Sequence, residues 1–208
     1  GSISLRRAVE KSSNVATYRL YEELGTRTCM KYLEALNFKG LDKKDYKYNT
    51  TCLGGFTNGT TVVEMAAGYA TIANDGEYRT PDCIIKITDA KGNDIVPEDT
   101  STKSVYSSSA SRMMTSVLQS CVTEYEGTAH VCQLDVDMPA ACKTGTTNNY
   151  VDGWLCGYTP YYTTAVWVGM DVYKSVDNLK GNTYPASIWT NYMNKIHQGL
   201  PRKEFESY

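Results

Sequence analysis

Four segments in the first 124 residues have apolar side chains every three or four positions, the spacing that predicts amphipathic α-helices. The predicted helices span residues 13–24, 27–36, 62–73 and 107–124. Ser12 or Ser13 can cap the first helix, and Gly25 follows it in the position that glycine favours after a helix. Residues 49–59 are rich in Thr, Asn and Gly, and they predict a loop.

The last third of the chain has a different pattern, in which short β-forming runs alternate with turn residues. We predict three strands joined as an antiparallel meander, at residues 140–147, 153–158 and 163–170. A closing helix over residues 186–197 follows Tyr184-Pro185. A short hairpin and a polar connector are predicted before this region, at residues 84–88 with 95–96 and at residues 97–106. Helices first, a meander next and one helix last indicate an α+β fold.

Composition sets limits on the class of protein. With 208 residues, of which 41% are hydrophobic and 21% charged, the chain is large enough for one domain with a sizeable core. Its formal net charge of −2 gives no electrostatic basis for binding nucleic acid or an anionic membrane surface. No apolar run reaches the roughly 18–20 residues that a transmembrane helix requires, so we predict no membrane span in these residues.

Seven cysteines stand at positions 29, 52, 83, 121, 132, 142 and 156. None of them forms a Cys-x-x-Cys pair, and His130 and His197 are far apart in the sequence, so we predict no metal site and no cofactor. The odd number excludes a complete set of intramolecular disulfides, and we expect mostly free, buried thiols. Cys142 and Cys156 lie on adjacent predicted strands, and a disulfide between them is an alternative if their Cα atoms lie within about 7 Å.

Lys143-Thr144-Gly145-Thr146 lies within the first strand of the meander and has the chemistry of a carboxylate site. The lysine supplies a positive charge, and the two threonine hydroxyls that flank Gly145 can donate to one anion. Because Gly145 has no Cβ, a substrate backbone can lie against the strand, and the amide of Thr146 can serve as an oxyanion donor. Alone, Lys-Thr-Gly is more typical of a surface strand end, but its position in an apolar strand favours the functional interpretation.

Ser12-Ser13-Asn14 precedes the first predicted helix, and its simplest interpretation is a helix N-cap. A second interpretation makes Ser12 a proton relay between a lysine base and a leaving amine, with Asn14 binding an amide of the acyl donor. A hydroxyl and a carboxamide two residues apart can both face a cleft from one short turn. The two interpretations are therefore compatible.

These two motifs belong to a longer ordered series of segments. The series comprises residues 5–16, Leu53-Gly54-Gly55, residues 63–66, residues 69–76, Gly127-Thr128-Ala129, residues 143–147, Asp152-Gly153-Trp154, Gly157-Tyr158-Thr159-Pro160 and Trp167-Val168-Gly169. Over nearly the whole chain, this series resembles the transpeptidase domain of class A (bifunctional) penicillin-binding proteins. That family is known for motifs of these types around a Ser-x-x-Lys nucleophile.

The resemblance implies a fold and an activity. The fold is that of penicillin-binding proteins and serine β-lactamases, of which residues 1–208 would form a part that lacks the N-terminal segment. The implied reaction is D,D-transpeptidation of peptidoglycan, in which a serine attacks the penultimate D-alanine of a stem peptide and an amine of another stem resolves the acyl-enzyme. The residues that match by motif are catalytic Ser12, Asn14 and Lys143 and substrate-binding Thr144, Gly145, Thr146 and Thr147.

The resemblance also implies partners and a location. The partners are peptidoglycan stem peptides and the β-lactams that trap the same serine, and no nucleic acid is expected. The parent protein is expected at the extracytoplasmic face of the bacterial cytoplasmic membrane, with its anchor and a glycosyltransferase domain upstream of this chain. The family's sheet has five strands, so residues 163–170 are expected to have a bare edge that associates with an upstream fragment, a second copy or a rearranged segment.

Two departures from the family pattern affect the predicted activity. Ser-x-x-Lys is absent from the sequence, and its nearest counterparts begin with Thr28 and Thr100. Because an acyl-enzyme requires a nucleophile, we expect no acylation of this chain alone. Cys142 stands where the family usually has glycine, and strand alternation turns its side chain away from that of Lys143, which favours a structural thiol. A β-lactamase-like hydrolase and a non-catalytic binding module remain as alternatives.

Overall fold

The structure is a computed structural model that describes residues 1–96 and 99–208. Its helices are α1 Leu5–Glu10, α2 Asn14–Leu24, α3 Thr26–Ala35, α4 Val62–Ala73, α5 Ser108–Thr123 and α6 Tyr184–Ile196. Its strands are β1 Glu77–Tyr78, β2 Ile87–Thr88, β3 Asp94–Val96, β4 Lys103–Ser104, β5 Ala141–Thr146, β6 Gly153–Tyr158 and β7 Thr163–Val168. Residues 97 and 98, which begin the predicted polar connector, lie outside the described residues.

The predicted meander forms a three-stranded antiparallel sheet in the order β5-β6-β7. Lys143 pairs with Cys156 across the first two strands, and Trp154 pairs with Trp167 across the last two. Strand β7 ends two residues earlier than predicted. The chain turns closely over the Trp167 ring at Gly169, where a Cβ would lie only 2.3 Å from a ring atom.

Helices cover both faces of this sheet, and strand alternation decides which residues meet them. On one face, the Tyr158 hydroxyl lies 2.8 Å from the Thr115 hydroxyl of α5. On the other face, Gly157 lies beneath the ring of Trp189 from α6, and Trp189 is completely buried. The α+β class is confirmed, and β5 lies at the edge of a sheet enclosed by α5 and α6.

Several short elements differ from the sequence predictions. Helix α1 was not predicted; it has only one and a half turns, and Ser4 caps it by accepting a hydrogen bond from the Arg7 amide at 3.2 Å. Strand β4 lies within the predicted polar connector and pairs with β1. These pieces are too short to show a hydrophobic period. The predicted hairpin is present, but its first strand, β2, is only Ile87–Thr88, whereas residues 84–88 were predicted.

Helix α2 has the predicted length but not the expected burial. Ser13 is its N-cap, and Gly25 ends it with a φ of 80°. Of its apolar side chains only Tyr21 is buried, whereas Val15 and Leu24 are 66% and 51% exposed. The periodicity therefore predicted the position of the helix. Much of its apolar face is exposed, because the other described elements do not cover it.

Replacing glycine by alanine should have different effects on stability at two buried positions, Gly157 and Gly68. At Gly157 an added Cβ would lie 2.5 Å from the Cys142 sulfur and 3.0 Å from both Ala141 O and Trp189, so Gly157→Ala should destabilise the fold by about 1–3 kcal/mol. At Gly68 in α4 the nearest atoms lie at 3.6 Å, so Gly68→Ala should be neutral or stabilise by up to about 1 kcal/mol. Urea unfolding of both variants checks this, and equal effects would contradict the packing argument.

The outer edge of β7 is the edge that is expected to associate with another segment. Among the described residues, β7 pairs only with β6, so capping by a rearranged segment of this chain is not found. Trp167 on this strand is 37% exposed and Met170 just beyond it is 44% exposed. An unpaired strand edge with apolar side chains favours association.

We predict that this chain associates through that edge, either with itself or with an upstream fragment. Sedimentation velocity over a range of concentrations should show a dimer or larger species. Met170→Lys should weaken the association, because a charge just beyond the end of the unpaired strand opposes pairing along it. Tyr125→Lys is the matched control, since Tyr125 is 89% exposed and follows α5. A monomer at all concentrations, with no upstream fragment bound, would show the prediction to be wrong.

Candidate active site

Two predicted motifs meet at a hydrogen bond from Lys143 to Ser12. The Nζ atom of Lys143 lies 2.8 Å from the Oγ atom of Ser12, although 131 positions separate the two residues. A second hydrogen bond, also 2.8 Å, joins Nζ to the carbonyl oxygen of Thr144. An ammonium group has three protons, so one remains for an anion or a substrate.

The Ser12 turn explains how one serine caps a helix while its neighbour faces the cleft. Ser13 caps α2, because its side chain accepts a hydrogen bond from the Ala16 amide at 3.4 Å. Ser12 has a φ of 51°, a left-handed conformation that is uncommon for a residue other than glycine. Its amide bonds to the Val9 carbonyl at 3.0 Å. The sharp turn between α1 and α2 therefore directs the Ser12 side chain to Lys143.

Asn14 is the first residue of α2, and its side chain is exposed two positions after Ser12. Its chain position places it beside the contact between Ser12 and Lys143. Its assignment as a ligand for the acyl donor stays a prediction.

Thr144 and Thr146 flank Gly145 and lie on one face of β5, opposite to the face of Lys143. The Thr144 hydroxyl donates to the Thr128 hydroxyl at 2.8 Å. The Thr146 hydroxyl accepts a hydrogen bond from the Gly181 amide at 3.0 Å, so its own proton is available to another acceptor. Thr146 is thus the better placed of the two to donate to an anion.

Gly145 and Thr147 have structural functions besides those predicted. A Cβ on Gly145 would lie 3.1 Å from Trp154 Cβ, and one on Gly181 would lie 2.7 Å from the Gly145 carbonyl oxygen. The Thr147 hydroxyl accepts from the Asp152 amide at 2.8 Å and donates to its carboxylate at 3.0 Å, which closes the β5–β6 turn. Binding of substrate by Gly145 and Thr147 stays a prediction.

The surroundings of Lys143 are apolar and neutral. Burial lowers the pKa of Lys143 from its ordinary value, although the nearby Cys121 and Cys156 partly oppose this shift. Burial also raises the pKa of Cys121 to about 11 and that of Cys156 to about 12. Both thiols are therefore protonated at neutral pH, and no thiolate neutralises the lysine. A lysine with a lowered pKa exchanges a proton with Ser12 more readily.

Cys142 faces the opposite side of the sheet. It is fully buried and pairs with Gly157, whereas Cys156 pairs with Lys143. The predicted alternative of a Cys142–Cys156 disulfide is wrong in this structure, since the two residues lie one position out of register and all seven cysteines are free. Burial holds the pKa of Cys142 well above its ordinary value, and its thiol contacts that of Cys132. Its orientation away from Lys143 is confirmed.

Two residues that shape this site have no distinct signal in the sequence. Thr128 was recognised only as part of a motif, yet it binds Thr144. Gly181 fits against β5 because it has no side chain, and its only sequence signal is the turn-forming Lys180-Gly181-Asn182. Hydrogen bonds between distant segments leave no periodic pattern, so neither contact can be predicted from the sequence.

The fold and the site together define a class of protein: a helix-flanked antiparallel sheet in which a Ser-x-Asn turn meets a Lys-Thr-Gly strand, as in penicillin-recognising enzymes. A family model described as the penicillin binding protein transpeptidase domain matches residues 1–196. The chain belongs to this family. Across residues 1–96 and 99–208, none of the helices combines the length and apolar character needed to cross a membrane.

Relatives and solved structures agree with this assignment. The chain is 31% identical to penicillin-binding protein 1A of Clostridium botulinum, over 99% of this chain and 24% of the relative. It is 33% identical to penicillin-binding protein 4 of Bacillus subtilis, over 91% of this chain and 30% of the relative. The chain thus spans a third or less of the length of these relatives.

Among solved structures, PonA1 of Mycobacterium tuberculosis in complex with penicillin V matches with a TM-score of 0.84 and 25% identity. The match covers 99% of this chain and 59% of PonA1. Penicillin-binding protein 1A of Haemophilus influenzae matches with a TM-score of 0.79 at 22% identity, over 98% of this chain and 36% of that one. These similarities confirm the transpeptidase fold over essentially the whole chain.

The lowered pKa of Lys143 predicts a pH dependence. The half-buried lysine binds its proton less tightly in the folded state than in the unfolded state, where its pKa has the ordinary value of 10.5. The unfolding free energy of the natural chain should therefore rise, relative to Lys143→Met, as pH increases towards 10.5. Urea unfolding at pH 7 to 10 checks the sign, with the exposed Lys91→Met as control. If the difference in unfolding free energy between the natural chain and Lys143→Met stays constant or falls as pH rises, the prediction is wrong.

Proposed function

We propose that this chain is part of a peptidoglycan D,D-transpeptidase that works through a serine acyl-enzyme, with the nucleophile supplied by residues outside this chain. The observation that carries the proposal is the 2.8 Å hydrogen bond between Lys143 and Ser12. Because Ser12 Oγ accepts from Lys143, its own proton is free to be donated to a leaving amine. Lys143 can then restore that proton, which makes the pair a relay.

The same site offers donors for a terminal carboxylate. Lys143 has one proton left after its bonds to Ser12 and Thr144, and the Thr146 hydroxyl has its proton free. The two side chains leave opposite faces of β5, so a carboxylate of a D-alanine residue or of a β-lactam would meet both the charged and the neutral donor at the edge of this strand. Asn14, beside Ser12, would bind an amide of the acyl donor.

The proposed partners follow from this chemistry. They are peptidoglycan stem peptides and β-lactams, and the parent protein would act at the extracytoplasmic face of the cytoplasmic membrane. The similarity to PonA1, whose solved complex contains penicillin V, supports β-lactam binding. The exposed apolar side chains of α2 and the open edge of β7 support packing against further residues of the parent protein.

Acylation by penicillin tests the proposal. We expect no covalent adduct on this chain alone and one adduct on the longer protein that includes its upstream residues, on a serine outside this chain. In that longer protein, Ser12→Ala and Lys143→Ala should each lower the acylation rate by roughly 10²–10⁴-fold, the usual contribution of proton transfer by a positioned group. Intact-mass spectrometry and stopped-flow acylation provide the measurements.

Ser107→Ala is the matched control for those variants. Ser107 caps the N-terminus of α5 by accepting from the Ala110 amide at 3.2 Å, whereas Lys143 lies near Cys121 at the other end of that helix. Its loss should cost about 1 kcal/mol of stability without changing the acylation rate.

An adduct on a serine of this chain would contradict the proposal. Rapid release of hydrolysed penicillin would instead favour a β-lactamase-like hydrolase, and binding without any adduct would favour a non-catalytic module.

A further inference from the structure

Thr128 connects the two halves of the proposed site. Its amide donates to the Glu10 carbonyl at 3.1 Å, two residues before Ser12. Its hydroxyl accepts from the Thr144 hydroxyl at 2.8 Å, one residue after Lys143. One residue therefore has direct bonds to both segments that bring Ser12 and Lys143 together.

Thr128 is itself held firmly by α5. The Gly127 amide bonds to Glu124 O at 2.9 Å, and the Ala129 amide bonds to Cys121 O at 3.1 Å. Ala129 is completely buried, and a Cβ on Gly127 would lie 2.2 Å from Cys121 O. The turn that holds Thr128 has little freedom to move relative to α5.

The end of α1 is fixed to the same turn by charge. Glu10 is 4% exposed; burial alone raises its pKa, but hydrogen bonds from Arg7 and Ser120 outweigh this and lower the pKa below its ordinary value. Glu10 is therefore ionised and paired with Arg7 at 3.0 Å. Glu126, just before Thr128, pairs with Arg7 and with Lys11, the latter at 3.1 Å. These contacts locate the Ser12 turn relative to Thr128.

Strand β5, which contains Lys143, must also be held in place relative to Thr128. Among residues 1–96 and 99–208 it is the edge strand of the sheet, so strand pairing holds it on one side only. The hydrogen bond between the Thr144 side chain and Thr128 adds an attachment on the face of β5 opposite to Lys143, one residue along the strand. Without this bond, β5 is held at this level by its pairing with β6, by its packing on the helices and by the contact between Lys143 and Ser12, which is partly exposed to water.

We propose that Thr128 is a positioning residue that sets the distance between Ser12 and Lys143, acting through Thr144. The inference rests on the proposed function for its effect on rate, since Thr128 moves no proton in the relay. It acts by fixing geometry, because small displacements of reacting groups have large effects on rate.

The test compares Thr128→Val with Thr128→Ser in the longer protein. Valine has the shape of threonine and keeps the amide, but it has no hydroxyl for Thr144. We expect Thr128→Val to lower the acylation rate constant at least tenfold without weakening the initial binding of penicillin, and Thr128→Ser to retain most of the rate. In crystal structures, the distance between Ser12 Oγ and Lys143 Nζ should exceed about 3.5 Å in the valine variant only.

A double-mutant cycle shows whether Thr128 acts through Thr144. If it does, Thr128→Val combined with Thr144→Val should be no slower than Thr144→Val alone. Additive losses, or a loss of penicillin binding alone, would overturn the proposal and make Thr128 a direct ligand. An unchanged Ser12–Lys143 distance in the valine variant would also overturn it. If the natural protein is not acylated, the proposed function fails, while the measured distances still decide the role of Thr128.

Discussion

Alternation of side chains along β5 is the constraint on which the rest of the structure depends. Ala141 and Lys143 face α5, while Cys142 faces Trp189 of α6, so one strand is a core element on both of its sides. A shift of one residue in register would bury the lysine against Trp189 and turn Cys142 towards Ser12. The packing of α6 on Gly157 opposes that shift, and therefore the core fixes the direction of the lysine.

The environment of Lys143 is unfavourable for a charge, and this agrees with a functional role. Its neighbours Cys121 and Cys156 are neutral thiols, and the hydrogen bonds to Ser12 and the Thr144 carbonyl only partly replace water. A purely structural position would be more stable with an apolar residue. Groups with shifted pKa values cluster at functional sites. The positive φ of Ser12 is a second departure from ideal geometry at the same place.

The sequence predicted those parts of the fold that have a strong local signal. The helices α4 and α5, the three strands of the meander and the Ser-x-Asn and Lys-Thr-Gly motifs could be located because periodicity and motif spacing are local properties. Helix α1 and strand β4 are too short to show a period. The functions of Thr128 and Gly181 depend on contacts 16 and 35 residues away in the chain, and no local pattern encodes them. The predicted alternative of a Cys142–Cys156 disulfide was wrong for a related reason, since strand register depends on the length of the intervening turn.

The contacts that place Ser12 against Lys143 are made within the described residues. The Arg7–Glu10–Glu126 group holds the turn, Thr128 holds β5, and the sheet fixes the lysine. This half of the proposed site is therefore already organised without a nucleophile. Groups that are held in place before the reaction need no rearrangement when charge develops, and this is the main source of electrostatic catalysis. A nucleophilic serine from elsewhere in the parent protein would then need to bring only its own hydroxyl and base to a surface that is already formed.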